Sequence, residues 1–205
     1  MPIEILKLEV GPWPMNSYIL SCNETKECAV VDPGADANKI LKAIQGMKVK
    51  FILITHGHSD HIGALESVRK KTSALVCAHS ADATEFKFDT DLALFDGDEL
   101  GIGSFGLKVL HIPGHSAGQV CFDLMDDRII VGDTVFVGGP GKTWSAEGFI
   151  TTMKNMENIV FKWKDETRFY PGHGPDGIIG KERPAYEKFV QKGWEDGLFG
   201  DVAWI

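Results

Sequence analysis

Apolar residues fall along this chain in short runs broken by Gly, Pro, Asn and Asp, the pattern of strands between turns. Such runs lie at Ile3 to Val10, Tyr18 to Ser21, Cys28 to Val31, Phe51 to Ile54, Ala74 to Cys77, Leu107 to Ile112, Gln119 to Leu124, Arg128 to Val131 and Thr167 to Tyr170. All are rich in Val, Ile and Leu. Asp126-Asp127, between two of them, reads as a tight hairpin turn.

Helical spacing is rarer. Asp36 is placed to cap a helix carrying Ile40, Leu41 and Ile44 on one stripe, with Gly46 beyond its end. A second helix is expected over Ile62 to Lys71. A third, Glu147 to Lys162, carries Phe149, Met153, Met156 and Val160 at helical spacing. Pro184 can open a last helix running through Trp194, since proline is tolerated in a first turn. Strands interleaved with helices in this order call for an α/β layered arrangement. Periodicity leaves open whether there is one sheet or two.

The chain has 205 residues, which suits one domain spanning 1–205. A formal charge of −8 argues against nucleic acid, whose phosphates are bound mainly by Lys and Arg. No apolar run approaches the ~20 residues of a membrane span, and MPIEILKLEV lacks the basic region of a signal peptide. Cys22, Cys28, Cys77 and Cys121 have no CxxC spacing, and the last three lie inside strand-like runs. They read as buried thiols, which fits a cytoplasmic protein.

The chemistry concentrates in Phe51-Ile-Leu-Ile-Thr-His-Gly-His-Ser-Asp-His-Ile-Gly63. His56, His58, Asp60 and His61 follow directly on a buried strand. Neither a regular strand nor one helical face can aim all four the same way, whereas a tight turn leading into a helix can. Three more ligand-type residues each follow an apolar strand and an immediately preceding glycine: His115 after Gly114, Asp133 after Gly132, and His173 after Gly172. That repetition reads as a backbone turning sharply to project one side chain. Imidazole nitrogen and carboxylate oxygen suit zinc, and also iron or manganese at oxygen-richer positions.

This H-x-H-x-D-H motif with its later partners resembles the metallo-β-lactamase superfamily over nearly the whole chain. The resemblance implies a metallo-β-lactamase αβ/βα four-layer sandwich, two mixed β-sheets flanked by helices. It implies two divalent metal ions, zinc first among them. His56, His58 and His115 would hold one, Asp60, His61 and His173 the other, and Asp133 would bridge both. Asp60 and Asp133 would serve catalysis beside a metal-activated hydroxide. An aspartate at position 133 is similar to the glyoxalase II and lactonase branches. Asp32, in Val30-Val-Asp-Pro-Gly34, resembles the family's buried aspartate and would buttress the histidine turn.

Gly132-Asp-Thr-Val-Phe-Val-Gly-Gly-Pro-Gly-Lys142 is similar to the glyoxalase II segment after the bridging aspartate. By that likeness Lys142 would meet a glutathione carboxylate, with Trp144 at the neighbouring aromatic position. The chain departs from glyoxalase II proper in being too short to contain all of its C-terminal helical extension, and Gly174-Pro175 stands where that enzyme carries a tyrosine. It looks more like compact single-domain relatives. The leading expectation is hydrolysis of small-molecule thioesters, as by hydroxyacylglutathione hydrolases. Two alternatives stay open: lactone or β-lactam cleavage at the same two-metal centre, and a persulfide dioxygenase using a single iron.

Other features carry less. His79 and His111 lack motif context and read as surface or core histidines. Gly11-Pro-Trp-Pro-Met15 could be an aromatic flap or a packed loop. Trp194, Leu198, Phe199, Val202, Trp204 and Ile205 are too apolar to leave in water together. They either pack back on the domain or form a contact between two copies, so monomer and homodimer are both open.

Overall fold

The nine expected strands, joined by three short ones that the apolar pattern did not mark, assemble into two six-stranded sheets in the computed structural model, which describes residues 3–204. The first sheet comprises β1 (Glu4–Val10), β2 (Met15–Ser21), β3 (Glu27–Val31), β4 (Lys48–Leu53), β5 (Leu75–Ala78) and β6 (Leu92–Ala93), in that spatial order. The β1–β2 and β2–β3 pairs are antiparallel, and the pairs from β3 to β6 are parallel. The second contains β7 (Glu99–Ile102), β8 (Phe105–His111), β9 (Val120–Asp123), β10 (Arg128–Gly132), β13 (Arg168–Pro171) and β14 (Gly177–Ile178). Its order is β14-β13-β10-β9-β8-β7, with only β10 and β13 parallel. Two short strands, β11 (Val135–Phe136) and β12 (Gly139–Pro140), form a separate ribbon.

The period of two along each strand divides the apolar residues among three layers of core. On β2 and β3, Leu20, Ala29 and Val31 face Leu107, Val109, Phe122 and Ile130 of the opposite sheet. Their neighbours Ile19, Cys28 and Val30 face outward, under α1 (Ala37–Ala43) and α3 (Leu65–Thr72). The outer face of the second sheet, with Cys121, Ile129, Val131 and Phe169, is covered by α5 (Ala146–Asn158) and α6 (Ile179–Lys192). At roughly 1.5–3 kcal/mol for each buried large apolar side chain, three such layers dominate what holds the fold. The result is helix, sheet, sheet, helix, as the resemblance implies.

Several local expectations are corrected. Asp36 stands at the start of α1 but makes no capping bond, because its Oδ2 accepts the Gly11 amide at 2.9 Å and so serves the β1–β2 turn. The helix expected over Ile62 to Lys71 is two pieces, α2 (Ser59–Ile62) and α3, broken where Ala64 N donates to Pro33 O at 2.9 Å. Pro184 lies inside α6 rather than opening it. The helix starts earlier because the amides of Ile179 and Gly180 are satisfied by Thr167 O and Asp165 O (3.0 and 2.9 Å). The Glu147 to Lys162 stretch is α5 followed by a 3-10 turn at Val160–Lys162.

The C-terminal aromatics pack back on the fold. Trp204 is buried among Phe161, Tyr186 and Phe189, and Trp194 stacks on Phe189 with ring centres 5.7 Å apart. Phe199 stays exposed, and Ile205 lies outside the described residues. The four cysteines are buried and unpaired. No helix among the described residues is long and apolar enough to cross a membrane.

Candidate metal centre

The ligand-type residues gather at the C-terminal ends of strands, where α/β sheets place their sites. His56 and His58 follow β4, and Asp60 and His61 lie on α2. From the second sheet come His115 after β8, Asp133 after β10 and His173 after β13. Gly114 and Gly132 take positive φ (144° and 50°), as a sharp turn before the projected side chain requires. Gly172 instead gives room: a Cβ there would stand 2.2 Å from Asp133 Oδ1 and 2.5 Å from His61 Cε1.

Three ring nitrogens meet at one point. His56 Nε2 lies 2.9 Å from His58 Nδ1 and 3.1 Å from His115 Nε2, and the last two are 2.9 Å apart. A hydrogen bond needs one donor and one acceptor, so a triangle of single-site nitrogens cannot satisfy all three edges with protons. Converging lone pairs suit a cation. Asp133 lies between this trio and a second set: its Oδ2 is 3.6 Å from His115 Nε2 and 3.8 Å from His173 Nε2, and its Oδ1 is 3.4 Å from His61 Nε2. Asp60 Oδ2 completes the second set, 3.1 Å from His173 Nε2. His61 Nε2 and Asp133 Oδ1 are buried without any hydrogen-bond partner. Orphaned groups of this kind, one nitrogen and one carboxylate oxygen, fit divalent metal. Three groups meet a ligand geometry: His56–His58–His115, His56–His61–Asp133 and Asp60–His61–His173.

The outer nitrogens are held as well. His61 Nδ1 lies 2.9 Å from Asp32 Oδ2, His115 Nδ1 2.8 Å from Lys142 O, and His173 Nδ1 3.0 Å from Pro14 O. Each such acceptor fixes a proton on Nδ1 and turns Nε2 inward, where the neutral ring offers its lone pair. For His56 the acceptor is Thr55 Oγ1 at 3.1 Å, whose own proton goes to Asp32 Oδ2 at 2.7 Å. Asp32 also accepts the Thr55 amide at 2.8 Å, with its backbone in the left-handed region at φ 47°. Such backbone strain is tolerated where surroundings over-determine it. Asp32 thus lies beneath the histidine turn, bonded to Thr55 and His61.

Asp82 was not foreseen. Fully buried in the first turn of α4 (Ser80–Phe86), it accepts the Gly57 amide at 2.9 Å, the Ser116 hydroxyl at 2.7 Å and the Gly118 amide. Nothing in Ser80-Ala-Asp82 distinguishes it from a helix-start acid, and only tertiary structure brings it to both histidine loops.

Charge follows this packing. Burial, then repulsion among the neighbouring rings, pushes the pKa of His56 well below the usual histidine value, and burial lowers those of His58 and His115. Burial acts the same way on His61, but Asp133 and Asp32 outweigh it and hold its pKa up at about 10. The hydrogen bond between Asp60 and His173 raises the histidine and holds the carboxyl far below its ordinary range. The site thus sets an electron-rich trio beside an anionic pocket.

Two clefts open on either side of Trp144, whose ring edges onto His58 at 5.9 Å. One, about 450 Å³, is lined by Phe86, Ser116, Ser145 and Glu147 besides His58 and His115. The other, about 470 Å³, is lined by Asp60, Asp133, Phe136, Lys142, His173 and Asp201 among others. Lys142 and Trp144 are therefore beside the centre, with the ammonium 4.8 Å from the indole ring. The Gly11 to Met15 turn reaches the site through Pro14 O, while Trp13 points to solvent at 80% exposure. His79 and His111 stack on each other 4.1 Å apart, outside the three ligand groups.

A model of the metallo-beta-lactamase superfamily matches residues 10–175. The probable metallo-hydrolase YqgX of Bacillus subtilis (strain 168) is 35% identical over 191 residues, 83% of this chain and 90% of that protein. The hydroxyacylglutathione hydrolase of Anaeromyxobacter dehalogenans (strain 2CP-C) is 39% identical over 158 residues, 77% of this chain and 60% of that enzyme. Among solved structures, the BLEG-1 B3 metallo-beta-lactamase superposes with a TM-score of 0.78 at 27% identity, covering 88% of this chain and 97% of that one.

Proposed function

The chain belongs to the metallo-beta-lactamase superfamily and is a metal-dependent hydrolase, and from that premise we propose that it cleaves thioesters at a two-metal centre. His56, His58 and His115 would hold one cation, Asp60, His61 and His173 the other, and Asp133 would join them. Zinc suits the nitrogen-rich trio, and iron or manganese also suits the set containing Asp60. Divalent cations held there would supply a deprotonated water near neutral pH and would polarise a carbonyl oxygen.

The rest is the work of the chain. Asp60 and Asp133 offset part of the cations' charge. His56, His61, His115 and His173 each have the outer nitrogen committed, so they orient ligands rather than carry protons. Phe86 and Trp144 present apolar surface beside the centre, against which an acyl chain would pack. The two clefts offer one side for the acyl group and one for the leaving group. Water adds to the carbonyl carbon, the carbon–sulfur bond breaks, and the electron pair leaves on sulfur. A thiol with a pKa of about 8.5 leaves as its thiolate, which asks less of a proton donor than the amine of an amide does.

The observation that carries this reading is that Asp133 stands between the His56–His58–His115 and Asp60–His61–His173 groups, in a chain 39% identical to a hydroxyacylglutathione hydrolase over the part they share. Metal analysis of purified protein, with lactoylglutathione hydrolysis followed by thiol release, tests it. Efficient cleavage of a lactone with no action on lactoylglutathione would replace it with a lactonase. Oxygen consumption with glutathione persulfide and a single iron would overturn the hydrolysis of either substrate.

A further inference from the structure

The C-terminal segment occupies a position that the metal chemistry does not explain. Beyond α6 the chain turns back along the β11–β12 ribbon, and Gly200 pairs with Thr143 through two backbone hydrogen bonds of 3.1 and 3.0 Å. A few residues later Trp204 N donates to Gly138 O at 2.8 Å, and the indole is buried under α6. The seat is close: a Cβ on Gly139 would stand 2.4 Å from Val202 O. Held at both ends, this strap places Asp201 and Val202 on the rim of the cleft that contains Asp60, Asp133 and His173.

Lys142 lies on the same rim, and no other Lys or Arg among the described residues lines that cleft. Its Nζ is 3.3 Å from Asp201 Oδ2 on one side and faces the Trp144 ring on the other. The side chains are 41% and 81% exposed, so their attraction is small and water-screened. The pair is no strut for the fold. What it does is set the charge that a ligand meets beside the metal centre. A carboxylate arriving at Lys142 must displace Asp201 or share the lysine with it, and like charges on one cation cost affinity.

We propose that Asp201 is a specificity-determining residue: held on the C-terminal strap beside Lys142, it opposes a carboxylate there and turns the cleft toward thioesters whose leaving thiol is uncharged at that position. This rests on the thioesterase reading for its substrate class, but its charge logic can be measured without turnover.

The experiment uses two inert thioethers, S-hexylglutathione and the same compound with its glycine carboxylate amidated, titrated calorimetrically into the metal-loaded protein. Wild type is expected to bind the amide at least as tightly as the acid. Asp201→Asn should shift the acid-to-amide affinity ratio toward the acid by roughly fivefold, the scale of an exposed charge interaction. Adding Lys142→Ala to that variant should remove the shift. A ratio unmoved by Asp201→Asn, a shift that survives loss of Lys142, or binding of neither probe to either protein would each overturn the assignment. Lactoylglutathione and its glycinamide are then assayed on the same proteins. Failure of turnover on both, with the binding ratio shifting as expected, would remove the thioesterase reading and leave the role of Asp201 standing.

Discussion

Asp82 Oδ2 stands 2.9 Å from the amide of Gly57, the residue between His56 and His58. The same oxygen takes the hydroxyl of Ser116, next to His115. One buried carboxylate on α4 thereby ties together the two loops whose histidines form the nitrogen trio. It bonds to none of the three rings; it acts through the position of the two loops and through its charge, which favours the protonated form of His115.

Replacing Asp82 with asparagine leaves one acceptor where two were used and turns an NH₂ toward N–H and O–H donors. The trio should lose metal affinity by about ten- to a hundredfold, the usual cost of disturbing a ligand's support. Chelator competition measures this directly. Stability of the metal-free protein should fall by about 1–3 kcal/mol from donors left unmet. An unchanged affinity with lowered stability would make Asp82 a structural residue only.

Asp133→Ala removes the carboxylate that faces both ligand sets. At least one metal per chain and nearly all turnover should be lost together. Metal content by elemental analysis, set beside kcat, decides the matter. A variant that kept two tightly bound metals and near-normal rates would rule out the bridging role.

Protons should leave as metal enters. Asp133 and Asp32 hold the His61 pKa at about 10 against an ordinary 6.5, so the metal-free ring is cationic at neutral pH. Its contribution to metal-free stability is complete below 6.5 and is lost as pH rises towards about 10. Metal affinity should run the opposite way and climb across that window, because Nε2 must be bare to ligate. Calorimetry in buffers of different ionisation enthalpy counts the released protons. Asp32→Asn keeps a residue type that accepts positive φ but removes one carboxylate from His61. It should reduce the proton count at neutral pH; an unchanged count would contradict the charge assignment.

Trp204 lies almost at the end of the chain yet is 2% exposed, packed against Phe161, Tyr186 and Phe189. Trp204→Ala should cost about 3–5 kcal/mol, as for other large-to-small changes in a core. A shift in the urea midpoint reads this out. A loss under about 1 kcal/mol would mean that the strap contributes little to the fold.

Nine of the strands, and the gathering of the seven ligand-type residues, were legible because each is a local event: an apolar run, a turn, then a side chain of the right chemistry; β6, β11, β12 and β14 are two residues long and leave no such run. Asp32 was picked out only by its resemblance to the family's buried aspartate, since its bonds to Thr55 and His61 are tertiary. Asp82 was not, since its role comes from Gly57, Ser116 and Gly118 converging on α4 from two loops far away in sequence. Asp201 escaped for the same reason, its position being set by the Thr143–Gly200 pairing. The start of α6 was missed because Thr167 and Asp165 satisfy its first amides, so proline's missing donor did not decide where it began. Periodicity could not separate one sheet from two, because both faces of β2 and β3 are buried and their alternation does not mark an outside.

Each of the three ligand groups draws on both sheets: the first supplies His56, His58, Asp60 and His61, and the second His115, Asp133 and His173. Neither half of the molecule therefore owns a site. If these groups hold the cations, a cation would meet its full coordination only after residues far apart in the chain have been brought face to face, when the loop-closure entropy has already been spent. Metal uptake would then act as an assembly check, recording that the two halves have docked in register. A chain whose halves are misaligned by one strand residue would present the wrong faces and stay empty.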